Sequence, residues 1–481
     1  MTIASKRIVA SFGVQCADSY DEPRVLDPND PLPSARLFVA THFTTSGYRT
    51  LHHQAGAFYG WSGTHYSEAA EAQIRADVYR FLEGAMRLDA KTNNLVPFKP
   101  TAAKVNNLID ALRAVCNLPR EITAPAWLDC TPDLCPPPTE VLACKNGLLH
   151  LPTLTLYPHS PAFFNHNALD FPFKPDAPEP KRWRAFLDTL WPEDAAARDT
   201  LQEVFGYVLT SDTSQQKIFM LVGPKRSGKG TIARVLTGLL GQPNVVAPTF
   251  ASLSQNFGLA PLVGKQLAVI SDARLGTRTD QTAIAERLLS ISGEDGLTVD
   301  RKYLPPWTGR LPTRFLLLTN ELPSLKDVSG ALASRFILLT VTESFYNRED
   351  HTLTPRLLEE LPGILNWAIT GWQRLQARGH FVQPASSENA VRELEDLASP
   401  VGAFVRECCV VEPGRKIGTG RLFDLWCEWC TRHGRQHPGT AQLFGRDLRA
   451  VVPGLTTSQK HDGSRQYLGI ATVVEGGAEN E

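Results

Sequence analysis

The residues with the plainest chemical purpose run from Gly223 to Thr231: Gly223, Pro224, Lys225, Arg226, Ser227, Gly228, Lys229, Gly230 and Thr231. Two glycines bracket four residues and a lysine follows the second, which is the spacing of a phosphate-binding loop. Glycine at both places lets the backbone turn its N–H groups inward around an anion without a Cβ in the way. Lys229 is then set to reach the β/γ-phosphates of a nucleotide. The next residue is Gly230, so the hydroxyl that would sit near Mg2+ comes one place late, at Thr231.

Further along the chain, three groups have types that suit phosphoryl chemistry. Asp272 follows the apolar run Leu267–Ile270, where a carboxylate holds Mg2+ or orients an attacking water; taken alone, such an aspartate merely caps a turn. Ala273 follows it, so the usual paired acid is missing. Asn320 ends the run beginning at Phe315 and has an amide to offer a γ-phosphate and a water. Arg335 stands before the run Phe336–Val341, where a guanidinium at a subunit edge could neutralise a neighbour's transferring phosphoryl group; Arg310 and Arg314 rival it. Cys427, Cys430, His433 and His437 have the residue types of a zinc site, but the cysteines fall inside an aromatic amphipathic helix, where packing is the favoured reading.

These groups need a frame, and the spacing of apolar residues supplies one. Ile218–Val222 reads as a buried strand running into the loop, and Ile232, Val235, Leu236, Leu239 and Leu240 share one helical face behind it. Together with the runs ending at Ile270, Asn320 and Val341, this predicts a parallel sheet covered on both faces, polar strand ends lining the nucleotide crevice. Ahead of it, helices over Trp183–Leu190 and around Leu201–Leu209 follow a proline-rich linker, Phe171–Arg182. The N-terminal part reads as α+β: two strands around Ser62–Gly63, a helix with Ile74, Val78, Phe81, Leu82 and Met86 on one face, a helix after Thr101, and a hairpin turned at Asn146–Gly147. The first thirty residues read as partly disordered. After about residue 385, two helices marked by Trp426 and Leu448 precede a hairpin tip at His461–Ser464; helix, helix, wing is the order of a winged helix, with Arg446 and Arg449 on the exposed side of its second helix.

Composition narrows the function classes. The 481 residues allow two to four domains. No apolar run of about 20 residues is present, so a membrane span is not expected. The start lacks the apolar core of a signal peptide, and nine scattered cysteines fit reduced thiols in a cytoplasmic setting. With a net charge of −1, any nucleic-acid contact must be local; from Pro413 to Val474 nine Lys/Arg face four Asp/Glu.

In order, GPKRSGKGT, ISDARL, ISGEDGLTVDRKY, LLLTNELP and SRF resemble the superfamily 3 helicases, and more narrowly the phage/plasmid primase-helicase family that includes the poxvirus primase-helicase. Longer stretches such as VLACKNGLLHL, ELPGILNWAITGWQRLQARG and LFDLWCEWC look like that family too, over most of residues 55–475. The resemblance implies an α/β fold with an AAA+-like P-loop ATPase core at 181–380, its helical collar at 181–215, an N-terminal α+β accessory domain at 1–180 and a winged-helix-like domain at 381–481. It implies a homohexamer that uses ATP and Mg2+ to move 3′ to 5′ on single-stranded DNA at a replication fork, in a host cytoplasm, with an initiator or primase supplied by another chain. Helicase activity without a primase-polymerase domain is the expectation. By position, Gly223–Thr231 bind ATP, Thr231 and Asp272 hold the metal, Asp272 stands where the family usually has Glu, Asn320 is the sensor and Arg335 the finger. Arg301 and Lys302 match the basic tip of the hairpin that such helicases project into the ring channel. The rival classes are an ATP-dependent DNA-binding regulator without unwinding activity and a nucleotide kinase, since GKGT also reads as an adenylate-kinase-like loop.

Overall fold

A computed structural model describes residues 24–129, 135–273, 280–325, 327, 330–459 and 463–473. Most of the segment expected to be partly disordered lies outside these residues, as do Cys130 and part of the hairpin tip expected at His461–Ser464. Contacts divide the chain into one unit that runs through Pro175 and takes in Tyr303–Trp307, and another made of Asp176–Lys302 and the residues from Thr308 onward.

In the first unit, α1 (Pro31–His42) precedes an antiparallel sheet of β1 (Leu51–Gln54), β2 (Ala57–Trp61) and β3 (Tyr66–Ala69), then α2 (Glu71–Glu83) and α3 (Ala102–Val115). The residues spaced for one helical face meet in one core: Phe38 of α1, Ile74, Val78 and Phe81 of α2, and Val105, Leu108 and Leu112 of α3 are all buried together. Thr101 caps α3 by accepting a hydrogen bond from the Lys104 N–H. Met86 does not extend α2 as its spacing implied. The helix stops at Glu83, before Gly84, and Met86 opens a short strand, Met86–Leu88. The second expected hairpin forms from β4 (Val141–Cys144) and β5 (Gly147–His150), with β6 (Thr155–Tyr157) beside it, but Cys144 faces Gly147, so its turn is Lys145–Asn146. The shift by one residue has a cause: the Asn146 amide donates to the Phe173 carbonyl and accepts from the Phe173 N–H, both at 2.9 Å. Thiols are free at Cys116, Cys144, Cys408, Cys409, Cys427 and Cys430, whereas Cys135 is in a disulfide, where a reduced thiol was expected.

The second unit begins with α4 (Lys181–Leu190) and α5 (Ala195–Leu209), then β7 (Ile218–Val222), α6 (Lys229–Leu240), β8 (Val245–Val246), β9 (Leu267–Ile270) and α7 (Gln281–Ser292). In chain order β10 (Leu297–Arg301) and β11 (Leu304–Gly309), of which residues 304–307 belong to the first unit, precede β12 (Arg314–Thr319) and β13 (Phe336–Thr340). The central sheet has the order β8–β9–β12–β7–β13 and every pair in it is parallel. The apolar runs read from sequence became its four long strands, buried along nearly their whole length, as a sheet covered on both faces requires. β8 gave no such signal because it is two residues long.

Helices α8 (Leu353–Leu358) and α9 (Leu361–Arg378) follow the sheet, and α9 crosses α5 at very short range. A Cβ at Gly206 of α5 would lie 2.4 Å from the Ala368 carbonyl oxygen, and one at Gly371 of α9 would lie 2.3 Å from the Gln202 carbonyl oxygen. Glu203, 2% exposed, is held at this crossing by Arg374 Nε at 2.7 Å and by Arg378. A buried carboxylate is tolerable there because two guanidinium groups meet it. The chain ends in α10 (Glu388–Ala398), α11 (Pro400–Cys408), β14 (Cys409–Gly418), α12 (Thr419–Arg432), α13 (Ala441–Val451), β15 (Thr456–Gln459) and β16 (Arg465–Thr472), with β16 between β14 and β15 in an antiparallel sheet. Phe404, Leu422, Trp426, Trp429, Phe444 and Ile470 form its core. No helix among the described residues is long and apolar enough to cross a membrane.

The α5–α9 crossing leaves no room for a methyl group. Gly206→Ala should therefore lower stability by about 1–3 kcal/mol, the range for overpacking. Thermal denaturation reads this as a melting midpoint lower by several degrees; an unchanged midpoint would show that the helices can separate at no cost.

Candidate functional site

The phosphate loop grows directly out of β7. Gly223 must be a glycine, since a Cβ there would lie 2.2 Å from the Val341 carbonyl oxygen. Gly228 takes the left-handed conformation, φ 85°, and is the N-cap of α6, so the loop closes tightly enough to hand its N–H groups to the helix terminus. A second segment braces the loop from outside: Ser344 Oγ donates to the Lys225 carbonyl, Phe345 N–H donates to the Arg226 carbonyl, and Arg226 Nε lies 3.4 Å from Glu349 Oε1.

Inside the loop, Lys229 is 8% exposed. Its three N–H groups have four acceptors within reach: the Gly223 carbonyl at 2.6 Å, the Pro224 carbonyl at 2.7 Å, Ser227 Oγ at 3.0 Å and Asn320 Oδ1 at 3.2 Å. Burial holds the lysine pKa below its usual value. Four neutral oxygens surround the ammonium and none of them neutralises it, so the loop keeps its positive charge. Lys229 and Asn320, 91 residues apart, are sequence-predicted residues that the fold brings into direct contact.

Asp272 is placed differently from the sequence reading, which put it on a strand neighbouring the loop. It lies two residues beyond β9 and is exposed, and β12 runs between β9 and β7. The interposed strand is the one that delivers Asn320. Thr231 lies in the first turn of α6, and its Oγ1 accepts a hydrogen bond from Arg234 Nη2 at 3.1 Å. A hard cation such as Mg2+ takes one or two protein oxygens and completes its shell with phosphate and water. The Asp272 carboxylate and the Thr231 hydroxyl are oxygens of that kind.

Arg335 sits at the opposite edge of the sheet. It precedes β13, whose Phe336 pairs with Ile218 at the start of β7, and its carbonyl accepts from the Ile218 N–H. Five residues of strand at about 3.3 Å each put it roughly 16 Å below the loop. There Arg335 Nη1 donates to Ser292 Oγ at 3.2 Å, and Lys217 Nζ donates to the Ser334 carbonyl at 2.7 Å. Of the rivals, Arg310 is exposed, while Arg314 is buried at 3% exposure, with Nη2 donating to the Val208 carbonyl at 2.8 Å and its guanidinium 5.8 Å from the Tyr207 ring. Burial pulls its pKa down to about 10. Arg314 ties the end of α5 to β12 and is not a finger.

The predicted DNA contacts fall in two places. Arg301 ends β10, and Lys302 and Tyr303 make the turn into β11, with Tyr303 91% exposed. Arg446 and Arg449 are exposed on α13, Arg446 beside Asp447 at 3.0 Å. Tyr303 and Arg234 were not singled out in the sequence. Tyr303 carries no periodic signal in a turn, though an aromatic beside Arg301–Lys302 suits a strand of bases; Arg234 looks like an ordinary polar face residue of α6 until the fold shows where it points. Cys430 is buried in the C-terminal core and Trp429 stacks on His433 at 4.1 Å, which accounts for the Cys/His stretch by packing.

The Lys229–Asn320 contact predicts an asymmetry between two substitutions. Asn320→Asp places a carboxylate against the ammonium, raising the lysine pKa and competing with phosphate, so nucleotide affinity should fall about tenfold or more, roughly 1.4 kcal/mol. Asn320→Ala removes only a neutral acceptor and should bind within a factor of about three while hydrolysis drops. Titration with a fluorescent nucleotide separates them; equal affinities would mean that the pair does not face the ligand.

Comparison with known proteins gives two family matches and several similar structures. A model described as D5 N terminal like matches residues 36–192, and one described as a family of unknown function, DUF5906, matches residues 221–335, an interval that holds Lys229, Asp272, Asn320 and Arg335. Similar solved structures include the A form apo structure of the NrS-1 C-terminal region, at 11% identity and a TM-score of 0.49, covering 92% of this chain and 100% of that one. An apo structure of the same region is similar at 12% identity and a TM-score of 0.49, covering 92% and 99%. A D5 N-terminal-like region ahead of a DUF5906 region, with the motifs in their expected order, agrees with the resemblance to the superfamily 3 helicases of the phage/plasmid primase-helicase family.

Proposed function

We propose that the chain is an ATP-dependent DNA helicase of phage or mobile-element replication that works as a homohexameric ring on single-stranded DNA. The observation that carries this reading is the Lys229 ammonium held in the loop beside Asn320 of the adjacent strand. That pair puts a fixed positive charge and an amide at one end of a parallel sheet, where a triphosphate meets the N-terminus of α6. Gly223–Thr231 bind the phosphates. Asp272, which follows β9, the neighbour of the strand that ends at Asn320, is the candidate to orient water and, with Thr231, to hold Mg2+, which when bound would offset charge on the phosphates.

Arg335 supports the oligomeric part of the proposal. About 16 Å of strand separates it from its own loop, so a transferring phosphoryl group can meet it only in a neighbouring subunit. Arg335→Ala subunits mixed into wild-type rings should poison ATP hydrolysis more than in proportion to their fraction. A strictly proportional loss would remove the trans role.

DNA contact is assigned to the residues that end β10, where Arg301 and Lys302 offer charge to phosphates. A second contact is assigned to α13, since α11, β14, α12, α13, β15 and β16 follow the helix, strand, helix, helix, strand, strand order of a winged helix, with Arg446 and Arg449 outward. Tailed-fork strand displacement tests the whole reading: Lys229→Ala should abolish it together with ATP turnover. The double change Arg301→Ala, Lys302→Ala should keep basal turnover, lose DNA stimulation and unwinding, and bind single strands with a shallower salt dependence. Unwinding at the wild-type rate would shift the DNA contact to α13.

A further inference from the structure

We infer that Arg234 is a second phosphate-binding cation of the nucleotide site, occupying the place beside the loop that a side chain at position 230 would otherwise take. This rests on the nucleotide reading above and names a residue which that reading does not use. Arg234 follows Gly230 by four residues on α6, so both lie on one face, and helical side chains lean toward the N-terminus. The guanidinium therefore returns over the first turn. Its Nη1 lies 3.2 Å from the Cβ that position 230 would have. Its Nη2 donates to Thr231 Oγ1 at 3.1 Å, and its Nε donates to Thr354 Oγ1 of α8 at 3.3 Å.

Two oddities thus have one explanation. The loop lacks a hydroxyl directly after its lysine, and the glycine found there is what lets an arginine reach the loop. The arginine's two hydrogen bonds end on hydroxyls, which orient a guanidinium without neutralising it. Its position is also electrostatically poor by itself. The positive end of the α6 dipole disfavours a cation, and Lys229 is already there. An anion at the loop attracts the guanidinium and so offsets both repulsive terms, and a guanidinium binds phosphate oxygens in a fork that a lysine cannot reproduce.

The geometry further points to which phosphates it meets. On the proposed reading Asn320, which meets Lys229 Nζ, serves the terminal phosphate, whereas Arg234, Thr231 and Thr354 lie on the side of α6 and α8. Arg234 should accordingly serve the phosphates that ADP and ATP share.

Equilibrium titration of the full chain with fluorescent ADP and ATP analogues tests this. Arg234→Ala is expected to weaken both nucleotides by the same factor, about tenfold, with Arg234→Lys recovering part of the loss and melting without nucleotide serving as the control for folding. Unchanged affinity in Arg234→Ala, alongside lost binding in Lys229→Ala, would overturn the inference and leave the nucleotide site standing. A loss confined to ATP would overturn it as well, because the residue would then act on the terminal phosphate. Binding of neither nucleotide by the wild type would remove the site and the inference together.

Discussion

A buried ammonium without a buried counter-charge is the constraint on which the second unit depends. Lys229 is surrounded by carbonyl, hydroxyl and amide oxygens, and removing it from water is tolerable only because all of them are in reach at once. Each comes from a different structural requirement. The carbonyls need the loop to turn sharply at Gly223 and Gly228, Ser227 Oγ needs its 1% exposure, and the Asn320 amide needs β12 to be the immediate parallel neighbour of β7. A lysine kept charged but poorly solvated has more to gain from a polyanion than a surface lysine has.

Strand order then decides which groups can cooperate. In a parallel sheet all strand C-termini lie along one edge, so Lys229, Asn320 and Asp272 share an edge because each follows a strand. Arg335 precedes its strand and is therefore committed to the other edge, whatever its side chain does. The same rule explains Arg314, which opens β12 and is consumed in bonds to the end of α5. One topological fact sorts the charged residues into those that can meet a nucleotide in the same chain and those that cannot.

Much of this was legible in the sequence because it rests on local pattern. The apolar runs of the sheet, the periodic face of α6, the cap at Thr101 and the glycine spacing of the loop each have a signal a few residues long. What escaped depends on partners distant in the chain. The place of β12 between β9 and β7 has no local signature, so the remoteness of Asp272 from the loop strand was invisible. The turn at Lys145–Asn146 was displaced by a bond to Phe173, 27 residues on from Asn146. Met86 was assigned by spacing alone, and Gly84 outweighed the pattern. Arg234 belongs to the same class, since its meaning comes from Gly230, Thr231 and Thr354 together.

The near-neutral chain poses a last question, which is how so few local cations would hold a polyanion. If the proposed contacts hold, two basic residues at the β10–β11 turn and two on α13 would neutralise only a few phosphates per chain, and affinity for a strand grows with the number neutralised. Repetition around a ring multiplies the turn contribution without altering the composition of any one chain. It also places equivalent sites at regular intervals, which is what stepping along a strand needs. The trans role proposed for Arg335 and the near-zero net charge of the chain thus call for the same remedy. A sheet that puts Arg335 at the far edge and a surface whose cations are balanced by carboxylates would both suit a working unit of several copies.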